Sequence, residues 1–448
     1  MRDRATPPVT IASFVRELRY DALPADVVTF AQRCLLDLVG TAAGGVVLEA
    51  SRKSRDAAVA HMGGATMCAR LLLDGRKAGL AGAAFAGAAT IDAFDAHDGH
   101  VLTKGHAGVA VLPALLALTE GRSCESREFL TCIVLGYEVA TRAGIALHAS
   151  VPDFHCSGAW NALGCAAVGA RTLSLDDAQL AHALGIAEYW GPRGQIMRVC
   201  ESPTMLKDGS SWGAHAGVMA ALLAADGFTG APAVTVERAP DVWQDLGTHW
   251  RIREQYFKAY PVCRWAQPAI EAALALQREH GFAHADIASI AIESFREAIE
   301  LGSKCLAPSS SDEAQYSLPY PVAAALVHGN VGAREIAAAG RDAPVDRLMS
   351  VMKVVEVDEF SRLFPSERWA RVRIALRDGR TIVSSPTQAR GGAENPLTHG
   401  EIADKFHTLA HPVLGPARAG RIEALVCALA DDERACDVLR DELLQPIH

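Results

Sequence analysis

Through most of the first 250 positions, apolar residues recur at three- and four-residue spacing, which predicts helices. "PADVVTFAQRCLLDLVGTAAGG" (24–45) opens on Pro and Asp and closes on Gly-Gly, so a start and a stop signal bracket one long helix. "AGLAGAAFAGAATIDAF" (78–94), 109–121, 127–147, 157–175 and 176–190 continue the pattern. Their apolar faces are rich in Ala and Gly, which predicts close helix–helix approach. Helices that are apolar on nearly every side predict burial or contact between copies of the chain.

The pattern then changes. "DIASIAIESF" (286–295) and "MKVVEVDEF" (352–360) contain short β-like runs. "ARVRIALRDGRTIVSS" (370–385) alternates Val372, Ile374 and Leu376 before Asp-Gly, a hairpin signal. Helical stretches lie between these runs, at 269–281 and 321–330, and helix returns in 398–414 and 421–444. The expected fold is therefore mainly α. A large all-helical domain is built from both chain ends (1–256 and 393–448), and a smaller α+β domain (257–392) is inserted into it.

Composition narrows the function. Of 448 residues, 50% are hydrophobic and 21% charged, and the net charge is −9. An acidic chain without a Lys/Arg block predicts no nucleic-acid partner and no membrane surface. Eleven cysteines stand singly with no Cys-x-x-Cys, which argues against a disulfide framework, a zinc knuckle and a closely spaced iron–sulfur motif. The N-terminus is charged and has no long apolar run, so a cytoplasmic protein is expected.

One stretch concentrates chemistry. "DAFDAHDGHVLTKGHAG" (92–108) holds Asp92, Asp95 and Asp98 with His97, His100 and His106. If helical, His97 and His100 would share a face and could ligate a metal with Asp95 and His106. The spacing matches no established zinc motif, however, and Gly99 and Gly105 interrupt a helix. "GSSWG" (209–213) has the Gly-x-Ser-x-Gly form around Ser211, yet no strand signal precedes it, which favours helix capping by Asp208, Ser210 or Ser211. The third reading is metal-free acid–base chemistry on an anion, with cations from Lys207, Lys258, Arg264, Arg193 and Arg198.

Ordered landmarks then add a resemblance. "KGHAGVAVLPALLAL", "GYEVATRAG", "FHCSGAWNALGCAA", "SPTMLKDGSSWGAHAGVMAALLAADGFTG", "FKAYPVCRWAQPAIEAA", "AQYSLPYPVAAALVHG" and "ENPLTHGEIADKFHTLA" follow one another in order. Together they resemble the MmgE/PrpD family, which includes 2-methylcitrate dehydratase, cis-aconitate decarboxylase and iminodisuccinate epimerase. The resemblance implies an all-helical domain from both chain ends and an α+β lid, with the active site between them. It also implies a homodimer, a small polycarboxylate substrate, and neither metal nor cofactor.

Carried over by motif, His106, His155, Asp95 and Tyr320 would be catalytic. Lys207 and Lys258 would clamp carboxylates, and Arg264, His100 and Lys104 would help bind substrate. Proton removal beside a carboxylate builds negative charge, which lysine cations stabilise as it develops. His97, Gly99, His100, Lys104 and Cys263 depart from the family pattern, and His97, His100 and Lys104 are expected to tune or bind substrate. The implied function is a cofactor-independent lyase, foremost a 2-methylcitrate dehydratase-like hydro-lyase. Aconitate-type decarboxylation and epimerisation share its proton-transfer core, and a non-catalytic carboxylate-binding protein is the alternative of another class.

Overall fold

A computed structural model describes residues 9–64 and 66–447. The first eight residues of the expected helical domain, which open the N-terminal stretch read above, lie outside it, as does residue 448. The chain is mainly α. Helices Ala25–Val46, Leu80–Asp92, Gly108–Thr119, Ser126–Ser150, Gly158–Thr172, Asp177–Trp190 and Ser210–Ala225 follow the predicted segments closely. The two-residue offset at Leu80 has a local cause: Lys77–Gly79 pairs as a short antiparallel strand with Cys68–Arg70.

Buried apolar residues separate into two clusters. One runs from Phe14 to Phe257 and resumes from Leu397 to Leu443, so both chain ends build it. The second runs from Tyr260 to Ile382 and takes in Cys156, Ile196 and Cys200 from the helical part. The seam is packed as well as hydrogen-bonded. Phe154 meets Phe364 edge-on at 5.9 Å, and Gly302 N donates to Cys200 O at 2.8 Å.

The second cluster packs helices against a four-stranded sheet ordered 352–356, 287–294, 370–376, 381–383. The first neighbours are parallel and the others antiparallel. The Asp-Gly signal is a hairpin as expected, with Gly379 at φ 93°.

Two tertiary ties position the site. Buried Glu138 and Arg142 pair on the Ser126–Ser150 helix; Glu138 Oε1 accepts from Ile252 N at 2.9 Å, and Arg142 donates to Asp245 and to His249 O. They fasten the strap that leads into Lys258. Removing one partner of such a pair costs about 3–5 kcal/mol. The second tie is the His399–Ala428 helix, broken at Gly415 (φ 74°) between Pro412 and Pro416. From its first half, Lys405 reaches Asp37 at 2.6 Å and the Ala96 carbonyl at 2.5 Å. Among the described residues one helix, Ser126–Ser150, is long and apolar enough to cross a membrane, and 94% of its apolar window is buried inside the fold.

Candidate active site

The acidic, histidine-rich stretch is not a helix. After Asp92 the chain enters a loop in which Gly99–His100 pairs antiparallel with Gln255–Tyr256, and His100 N donates to Gly105 O at 2.9 Å. His97 and His100 consequently point to different places. Both glycines are required by close approach. A Cβ at Gly99 would lie 2.6 Å from the Tyr256 hydroxyl and 2.7 Å from His106 Nδ1, and one at Gly105 would lie 2.2 Å from Ser157 Oγ. All six Asp and His side chains of the stretch are buried.

His106 is held in one tautomer. Its Nδ1 lies 2.5 Å from the Asp98 carbonyl, and a carbonyl only accepts, so Nδ1 carries the hydrogen and Nε2 keeps a lone pair. Its backbone N donates to Ser157 Oγ at 2.8 Å, and that hydroxyl donates to Asp208. Burial, then the Lys258 cation, push the imidazole down to about 3, so it is neutral and proton-accepting near pH 7. The His97 ring stands 4.2 Å away, fully buried, and neither of its nitrogens has a hydrogen-bond partner.

Lys258 and Asp95 form the central ion pair. Lys258 Nζ donates to Asp95 Oδ1 at 2.5 Å and to Asp95 O at 3.2 Å. Burial would raise Asp95, but the Lys258 cation, with Lys207 further off, outweighs it and holds the carboxyl below its usual value. Burial would likewise lower Lys258, and Asp95 outweighs it in the other direction. Asp95 Oδ2 has no partner. An unpartnered buried oxygen beside an unpartnered imidazole marks a place where something else completes the hydrogen bonds.

Three further carboxyls are protonated or close to it. Burial and Asp37 push Asp98 up to about 8, and its Oδ1 accepts from the Tyr137 hydroxyl at 2.9 Å. Burial lifts Asp92 to about 7, and burial with Asp92 raises Asp208 well above its usual value. A small cavity of about 20 Å³, room for a single water, is bordered by Asp95, Lys104, His106, Asp208, Lys258 and Tyr316, with Tyr256, Cys263 and Arg264 behind them.

Asp95, His97 and His106 can each bring a ligand atom within 4.8 Å of the others. Two nitrogens and an oxygen suit a divalent ion in type. Asp95 Oδ1 already faces the Lys258 ammonium at 2.5 Å, so an ion on the open Oδ2 would sit beside a cation.

The structure gathers Asp95, His106, Lys258, Lys104 and Arg264 at this cavity and leaves four expected residues elsewhere. His155 does not border it: the ring leans on the Arg193 carbonyl at 3.3 Å and its backbone N donates to His148 Nε2 at 3.1 Å. Tyr320 lies in the α+β core and donates to Glu335 O at 2.6 Å. His100 pairs with Glu254 at 2.7 Å behind the strand pair. Lys207, at φ 50°, turns toward Asp312 (3.1 Å) and the Tyr316 ring, and borders a neighbouring cleft with Cys156, Arg198 and Trp212.

In two of these motifs a near neighbour borders the cavity instead, and in a third a neighbour supports His106. Tyr316 lies four residues before Tyr320, Asp208 follows Lys207, and Ser157, two residues after His155, supports His106. Arg368 was not singled out; it caps the loop by donating to Val101 O at 3.0 Å. Ser211 lies in the first turn of the Ser210–Ala225 helix, with Gly209 in left-handed conformation at its cap. No strand runs into it, and its cap residue Gly209 supplies no side-chain bond, while the Asp208 carboxyl turns to Ser157.

Comparison with known proteins places the chain in a family. The MmgE/PrpD N-terminal domain model matches residues 9–246 and the C-terminal domain model matches residues 260–431. Lys258 falls in the gap between them. The chain is 25% identical to the cis-aconitate decarboxylase-like protein oryM of Aspergillus oryzae, over 96% of this chain and 95% of that protein. It is 24% identical to a cis-aconitate decarboxylase of Aspergillus terreus, over 94% of this chain and 92% of the relative. With both domain models matched in order across most of its length, the chain belongs to the MmgE/PrpD family.

Proposed function

We propose that this protein is a cofactor-independent lyase that removes a proton next to a carboxylate of a small di- or tricarboxylate, foremost as a 2-methylcitrate dehydratase-like hydro-lyase. The observation that carries this reading is the fixed tautomer of His106, whose free Nε2 belongs to a residue bordering the cavity that also holds Lys258. A substrate carboxylate beside Lys258 would share the ammonium with Asp95. His106 Nε2 takes the carbon proton, and the electron pair moves toward that carboxylate, where Lys258 stabilises the charge. The carbon–oxygen bond then breaks, and the departing hydroxyl takes the proton of the Asp208 carboxyl and leaves as water. The His106 imidazolium gives up its proton to solvent, and deprotonated Asp208 recovers one from solvent. Lys104 and Arg264 would add to the positive potential that draws the anion in.

The named relatives favour a second reading, decarboxylation of an aconitate-type acid. There carbon dioxide leaves first, and His106 must deliver a proton rather than accept one. The smaller α+β unit would act as a lid over the seam. A cytoplasmic homodimer belongs to the same proposal; exposed Tyr189, Trp190, Trp212 and Phe228 support contact between copies.

The test is incubation with 2-methylcitrate, citrate and cis-aconitate in deuterated water, followed by proton NMR. Loss of water from a hydroxy acid, with solvent exchange at the adjacent carbon, supports the hydro-lyase. Carbon dioxide release from cis-aconitate selects the second reading. Ligand-induced stabilisation without exchange or turnover of any acid would leave a carboxylate-binding protein instead.

A further inference from the structure

The broken helix His399–Ala428 carries a cluster outside the cavity. His407 and His411 lie one turn apart on its first half, and His407 Nδ1 faces His411 Nε2 at 2.8 Å. The other nitrogen of His407, Nε2, meets Glu423 Oε2 at 2.8 Å. Glu423 belongs to the second half, beyond the break at Gly415. A carboxylate only accepts, so His407 Nε2 carries a hydrogen, which leaves Nδ1 as the nitrogen facing His411.

We propose that His407 Nδ1 and His411 Nε2 bind a divalent transition-metal ion of the zinc type, with Glu423 orienting His407 from behind. A metal-bound imidazole commonly donates its second N–H to a carboxylate, and the Glu423–His407 contact already has that form. Zinc–nitrogen distances of about 2.0–2.1 Å in a tetrahedral site place two nitrogens roughly 3.3 Å apart, so the rings need to part by only about half an ångström. His411 moves its proton from Nε2 to Nδ1 as it ligates. His411 is exposed and His407 half-buried, so the ion is reached from solvent and waters complete its shell. The ion would pin the two halves of the helix across Gly415, because one half supplies both ligands and the other the carboxylate that aims one of them.

The full chain, freed of metal by chelator and dialysis, is titrated with zinc by calorimetry and followed by thermal unfolding. One ion per chain at micromolar affinity is expected, with a Tm that rises with zinc. Glu423→Gln should weaken binding about 10–100-fold. His411→Ala, an exposed change whose fold is checked by circular dichroism, should abolish binding and leave turnover intact. His97→Ala should leave the stoichiometry unchanged, which separates this site from the Asp95, His97 and His106 group. Absence of zinc binding by the native chain, or equal binding by His411→Ala, would overturn the proposal.

Discussion

Replacing Lys258 by Met isolates the central electrostatic element. The ammonium and the Asp95 carboxylate are 2.5 Å apart, with side chains 1% and 3% exposed. At an effective dielectric of about 20 the gross attraction is roughly 7 kcal/mol. The desolvation of two ions offsets much of that. The variant, however, keeps the buried Asp95 without its cation, and breaking such a pair costs about 3–5 kcal/mol. In the native protein Asp95 is held below its usual value, so its contribution is present above about pH 4 and is lost as the pH falls. Without Lys258, burial raises Asp95 instead, and its destabilising effect grows as the pH rises. The stability gap between native and variant should therefore widen from pH 4.5 to pH 7.5 in urea unfolding.

Asp95→Asn in the Lys258→Met background removes the orphaned charge and should recover more than half of the lost stability. Activity should behave differently: kcat/KM falls about 100-fold or more in the single and the double variant, because neither has a cation for the developing charge. A double variant as unstable as the sum of the two single variants would refute the ion-pair argument. A Lys258→Met protein with unchanged turnover would refute the catalytic one.

Other perturbations separate the gathered residues from those left outside. Lys104 is pushed down to about 8, first by burial and then by Arg368, so kcat/KM should fall as the pH rises through about 8; Lys104→Arg should move that fall to higher pH. Tyr320→Phe should cost about 1 kcal/mol in unfolding, through the lost bond to Glu335, and leave kcat/KM unchanged, whereas Tyr316→Phe should lower kcat/KM at least tenfold with little change in stability. Gly105→Ala should reduce kcat/KM 100-fold or more, because its Cβ would displace Ser157 Oγ from His106 N; Gly420→Ala, with open space around it, is the matched control.

Helix periodicity carried most of the fold because the helices are long, Ala-rich and buried, so packing confirms what local pattern suggests. The pattern ended one helix at Leu414, just before the break at Gly415, but could not show where the chain goes after it. Pro412 and Pro416 mark a disturbance, but the direction taken after a left-handed residue depends on what the second half packs against. Nor could it show the two-residue pairing of Gly99–His100 with Gln255–Tyr256. That contact joins residues more than 150 positions apart, and the Glu138–Arg142 tie beside it has no local signal.

The site was legible as segments more than as side chains. In "LKDG" a left-handed Lys207 rotates its own side chain out toward Asp312 and turns Asp208 in toward Ser157. In "AQYSLPY" a helix begins between the two tyrosines, so one faces the cavity and the other the core. The three histidines of 92–108 show the same separation within a single loop. His100 receives a carboxylate partner, His106 a carbonyl that fixes its tautomer, and His97 no hydrogen-bond partner at all. Identical side chains within ten residues thus acquire different chemistry from what the other end of the chain lays against them. Lys405 illustrates this most directly: from position 405 it grips the Ala96 carbonyl, between Asp95 and His97. The geometry of the proposed base is therefore set as much by the C-terminal helix as by the loop that carries it.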